Sequence, residues 1–175
     1  DYVVVLSITN GWAKVIFDGT KLGYVSSTYL AQTTMQNYKY PALKLNVARM
    51  AQGDIRWANV KIGVSGKAIG DIGCLTTAVA MLESYRQGKT ITPDIMSRNL
   101  RYTSTGSMYW PSDYINSYTS DYLTAIYNLL KQGKPVLMGE KTHSGGQHWG
   151  VVTGYTGGDN LNAANFTLVD PGKAN

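Results

Sequence analysis

A polar stretch over residues 31–40, carrying Gln32, Thr33, Thr34, Gln36 and Asn37, divides the chain into two unequal parts. The thirty residues before it are too few to bury much core of their own. They read as β-structure. Tyr2–Leu6 is a short apolar run, Thr9-Asn10-Gly11 signals a turn, and Trp12–Phe17 is a second strand. Its alternation puts Trp12, Lys14 and Ile16 on one face and Ala13, Val15 and Phe17 on the other. Asp18-Gly19 is a hairpin turn, Lys21–Val25 returns, and Ser26–Leu30 closes the segment. The ten polar residues read as a linker, and Pro41 opens a second domain that runs over 41–175.

In that second part Leu43, Leu45 and Val47 alternate with Lys44 and Asn46, the period of a half-buried strand. Gln52–Trp57 follows, and then the glycine-rich stretch Gly63–Gly73, which reads as loop. A helix begins at Cys74, with Leu75, Ala78, Val79 and Leu82 on one face and Gly88 as its stop. Thr92-Pro93-Asp94 starts a second helix through Ile95, Met96 and Leu100. Residues 101–119 are aromatic, polar and irregular. Ser120–Gln132 is a third helix, with Leu123, Ile126, Tyr127 and Leu130 inward and Gly133 at its end. Strands follow at Pro135–Met138, His148–Tyr155 and Phe166–Asp170. Helices first and strands last predict an α+β domain on an antiparallel sheet.

Composition removes several classes of function. One cysteine in 175 residues excludes an internal disulfide. The net charge of +5 is concentrated early, where residues 1–73 hold 8 Lys/Arg against 4 Asp/Glu. No basic run or basic helix face forms, so nucleic acid is not expected as a partner. The excess suits weak attraction to an anionic surface such as a bacterial wall polymer. No apolar run reaches the roughly 18 residues of a membrane span. No signal segment opens the chain, which therefore either has no export signal or is a mature or trimmed form. No cofactor is expected. Nor is a metal: Cys74, His143 and His148 lack the spacing of common zinc sites.

Three residues stand out as chemistry. Cys74 sits where a helix starts, and the unpaired N–H groups there favour a thiolate; Asp71 opposes this slightly. His148 opens one strand and Asp170 ends the next. If these strands pair about a turn centred on Asp159, the imidazole and the carboxylate lie side by side. A carboxylate holding one ring nitrogen leaves the other to face a thiol, the arrangement of an activated nucleophile. His143, in a polar loop, is expected to be a bystander.

Two resemblances attach to these residues. Asn10–Val15 and Gly23–Leu30 resemble the second half of a bacterial SH3 domain, which implies binding of wall peptide or polymer by residues 1–30. Gln52–Trp57, Gly73–Met81, Gly133–Val136, His148–Tyr155 and Val169–Gly172 resemble, in order, the blocks of the C39-like peptidases of the papain-like superfamily. This second resemblance covers residues 41–175. It implies a papain-like fold and hydrolysis of peptide bonds by a Cys74–His148–Asp170 triad. In the superfamily an oxyanion-hole glutamine stands a few residues before the cysteine, whereas here Gln52 lies 22 residues upstream. Gln52 is the candidate if the glycine-rich stretch is an insertion, with the backbone N–H of Cys74 as the other donor. Tyr109, Trp110 and Trp149 are candidate cleft residues for a peptide or cell-wall glycopeptide. The implied setting is extracellular or wall-associated. The alternatives are a peptidoglycan amidase or endopeptidase using the same thiol, and a non-catalytic wall-binding protein.

Overall fold

The computed structural model describes residues 3–17, 20–31, 38–143 and 145–172. The chain forms two compact units, Asp1–Asn37 and Tyr38–Asn175. The expected Asp18-Gly19 turn, Tyr2 and most of the linker (Gln32–Asn37) lie outside the described residues.

The first unit is an antiparallel meander of β1 (Val4–Thr9), β2 (Trp12–Phe17) and β3 (Lys21–Ser26). Asn10 and Gly11, at φ 50° and 77°, form the two-residue turn between β1 and β2. A left-handed pair of this kind matches the twist of the strands that it joins. The alternation read from the sequence appears in β2: Ala13 and Val15 are buried while Trp12 is exposed. After β3 the chain turns through a single 3₁₀ turn at Ser27–Tyr29, tied back by Ser27 N–H to the Gly11 carbonyl at 2.9 Å.

The second unit is α+β. Its elements are β4 (Leu43–Lys44), α1 (Ile69–Ile72), α2 (Cys74–Gln87), α3 (Pro93–Asn99), α4 (Tyr122–Lys131), β5 (Val136–Lys141), β6 (Gln147–Tyr155) and β7 (Phe166–Val169). β6 organises the sheet: it pairs antiparallel with β5, with β4 and with β7. Residues of opposite parity on β6 serve two clusters. Val151 joins the cluster built on α2, with Ala78, Val79, Met81 and Leu82. Val152 joins Ile126 and Leu130 of α4. The period of two along the strand thus decides which helix each residue meets.

Two local expectations need correction. The strand expected through Val47 ends at Lys44. Leu45 N–H still reaches the Thr153 carbonyl at 2.7 Å, but Val47 N–H then bonds Leu45 O at 3.0 Å, a tight turn that takes the chain off the sheet. The stretch 63–73 is not all loop either. Ile69 is fully buried and the Asp71 carboxylate accepts the Ala68 N–H at 3.0 Å, which winds Ile69–Ile72 into one helical turn. Elsewhere the boundaries move by a residue or a few. α4 starts at Tyr122, where the Asp121 side chain accepts the Thr124 N–H, and α2 ends on Gly88 at φ 63°.

Candidate active site

The sulfur is placed by the junction of two helices at Gly73. α1 ends at Gly73, whose N–H bonds the Ile69 carbonyl at 2.7 Å, and α2 begins at the next residue. Cys74 is half-buried there. The backbone N–H groups of Leu75, of Trp149 and of Cys74 itself favour its ionised form. Trp149 lies on β6, one residue after His148, and β6 packs against α2.

These donors do not carry the balance. Burial is the largest influence and pushes the Cys74 thiol above its ordinary range; the three N–H groups pull it down, and the Asp170 charge pushes it up again. The N–H groups at the helix start act in the expected direction, but burial outweighs them. Alkylation by iodoacetamide should accordingly rise through neutral pH, with a midpoint above the ordinary thiol value of about 8.5. Asp170→Asn removes one upward push and should lower that midpoint; a rate already level at pH 6–7 in the native chain would contradict the assignment.

His148 and Asp170 are brought together, though not by the register expected. β6 and β7 pair Val151↔Val169 and Val152↔Leu168, with a bulge before Gly154↔Thr167. Carried past Val169, this register sets residue 172, not Asp170, opposite His148. Asp170 lies two residues from that position on the same face and reaches His148 diagonally. His148 Nε2 and Asp170 Oδ1 are 2.7 Å apart. The same oxygen accepts the Gly172 N–H at 2.7 Å, so it is an acceptor and His148 Nε2 carries the proton. Nδ1 is left as the ring's basic nitrogen. The Arg49 guanidinium Nε donates to the Asp170 backbone carbonyl at 3.3 Å.

Gln52 spans the two halves of the site. Its backbone N–H donates to the Pro171 carbonyl at 2.9 Å, and its side-chain Nε2 to the Gly70 carbonyl at 3.0 Å. One residue thus ties the segment after Asp170 to the segment before Cys74, and the 22-residue gap is closed in space. Its Oε1 is buried and unpartnered among the described residues. The Ala51 carbonyl beside it is held by Trp57 Nε1 at 2.8 Å.

The aromatic candidates separate. Trp110 and Trp149 meet edge to face at 5.4 Å and, with Tyr114, Pro135 and Leu137, line a groove of about 910 Å³. Tyr109 is not on that lining and faces the Arg101 guanidinium at 5.6 Å. His143 is exposed at the turn between β5 and β6. Among the described residues no group of three or more His, Cys, Asp or Glu is placed to hold a metal, and no helix is long and apolar enough to cross a membrane. Sequence reasoning took Trp149 for a cleft side chain and missed its backbone donor. It also passed over Arg49 and Gly172; only the Asp-Pro-Gly spacing after β7 hinted at the latter.

The model of the Peptidase_C39 like family matches residues 44–175. The chain belongs to this family. The match spans the sheet of the second unit from Lys44 onward and all four of its helices, and leaves the first unit outside it. No curated protein and no solved structure matches the chain. Membership suggests cysteine-peptidase-like activity for the unit that holds Cys74, His148 and Asp170.

Proposed function

We propose that the protein is a cysteine peptidase of papain-like fold, with Cys74 as nucleophile, His148 as base and Asp170 as the residue that orients it. The observation that supports this is the 2.7 Å contact between His148 Nε2 and Asp170 Oδ1, which commits one ring nitrogen to the carboxylate and leaves Nδ1 for the thiol of the chain's single cysteine. In the reaction His148 Nδ1 takes the thiol proton as Sγ attacks the scissile carbonyl carbon. The carbonyl oxygen becomes an oxyanion, which the Cys74 N–H and the second Nε2 hydrogen of Gln52 are suited to receive. Collapse breaks the C–N bond, and the imidazolium returns its proton to the leaving amine. Water, deprotonated by the same nitrogen, then hydrolyses the thioester and restores the thiol.

The substrate is a peptide or a cell-wall glycopeptide, and the setting extracellular or wall-associated, with the SH3-like first unit as a wall-directed module. The catalytic half is near charge balance, with 8 Lys/Arg and 7 Asp/Glu over residues 74–175, which suits uncharged peptide sequences. A library of soluble peptides and intact cross-linked wall, each incubated with the native chain and with Cys74→Ala, tests the proposal. Cysteine-dependent cleavage of soluble peptide supports it. Cleavage of intact wall alone makes the protein a peptidoglycan hydrolase, and no cysteine-dependent cleavage of either defeats the enzymatic reading.

Gln52 has two separable duties here. If its amide donates to the oxyanion, Gln52→Ala should lower kcat by roughly 10²–10³ with little change in KM. A loss of less than about threefold would leave it only the tie between Gly70 and Pro171.

A further inference from the structure

We propose that Gly172 is a positioning residue for the imidazole, acting through a backbone donor and through space that no side chain fills. The proposal rests on His148 being the base. Gly172 falls opposite His148 when the β6–β7 register is continued, and its N–H holds Asp170 Oδ1 at 2.7 Å. A Cβ built on it would lie 2.8 Å from His148 Cε1, 3.3 Å from Asp170 Oδ1 and 3.5 Å from His148 Nε2. The φ of Gly172 lies outside the left-handed region, so its backbone would accept an L-residue. The requirement for glycine is therefore the room at the ring.

Cε1 is the atom between the two ring nitrogens. Carbon atoms pack at about 3.5–4.0 Å, so a methyl at residue 172 must drive the ring back by roughly 0.7 Å. That displacement lengthens the bond from Nε2 to Asp170 and swings Nδ1 away from its working position at once. The carboxylate cannot simply follow, because the N–H of the same residue 172 holds its Oδ1. A misplacement near 1 Å at a reacting group costs on the order of 10²-fold in rate. Yet Gly172 is exposed, and exposed substitutions ordinarily leave stability almost unchanged.

The test uses the full chain with Gly172→Ala and, as a control, Pro171→Ala, which removes a buried ring next door without adding a group beside the imidazole. Four quantities are measured: Tm, kcat and KM on a cleaved peptide, and the low-field proton resonance of His148 Nε2–H. Gly172→Ala should keep Tm within about 2 °C, lower kcat about 10–100-fold at nearly constant KM, and shift the Nε2–H resonance upfield or abolish it. Pro171→Ala should lower Tm and leave that resonance in place. The proposal is overturned if Gly172→Ala keeps both its resonance and a kcat within about twofold of the native value. It is equally overturned if Gly172→Ala fails to fold while Pro171→Ala folds, since the glycine would then serve the fold. If the native chain cleaves no peptide, the peptidase reading fails by itself, and the resonance alone decides whether Gly172 sets the His148–Asp170 contact.

Discussion

Replacing Cys74 by alanine is expected to lower peptide hydrolysis by about 10⁴–10⁶-fold, to the level left by binding and the oxyanion donors alone. His148→Ala should fall nearly as far, because a neutral thiol without a base attacks too slowly to count. The double variant should be no worse than either single one, since residues acting as a unit do not add. The fold should survive each change. Cys74 is only half-buried, and alanine suits a helix start; His148 stands near the exposed end of β6, and its side chain bonds Asp170. The measurement is kcat/KM for the three variants beside their circular dichroism. Full activity in His148→Ala, or loss in His143→Ala, would move the base elsewhere.

The second large effect is on stability. In Gly73→Ala the new Cβ would lie 2.4 Å from the Ile69 carbonyl oxygen, 2.6 Å from Ile69 Cγ2 and 2.8 Å from Ile69 Cα. Two of these are backbone atoms, and Ile69 is fully buried, so nothing nearby yields cheaply. Overpacking of this kind costs about 1–3 kcal/mol. The strain falls on the junction between α1 and α2, one residue from the sulfur, so activity should drop together with the denaturation midpoint. Urea titration and kcat/KM on one preparation check both. An unchanged midpoint would mean that the α1–α2 junction relaxes freely.

Much of the second unit was legible in the sequence because its helices carry their own punctuation. Cys74–Gln87 shows a 3.6-residue apolar stripe and a glycine stop, and both survive in the fold. The strand around His148 was legible from its apolar run. The register was not: the bulge between Val152 and Gly154 and the length of the following turn shift the pairing, and neither leaves a mark in composition. The state of the thiol was not legible either. A helix start is visible in a sequence, but desolvation depends on what packs over the sulfur, and the donor from Trp149 comes from 75 residues away. Gln52 shows the reverse case. Its distance along the chain seemed too great, and the fold of residues 52–70 returns it to Gly70.

β6 pairs with every other strand of its sheet, packs against two helices, and carries His148 and Trp149 at one end. In terms of native-state fluctuations, His148 and Trp149 hang from the element that opens last, because separating β6 breaks three ladders and two cores together. Fraying of the aromatic loop leaves His148 in place, whereas fraying of β7 carries Asp170 away from it. The place of His148 is thereby tied to global cooperativity, while its contact with Asp170, carried just past β7, can open locally.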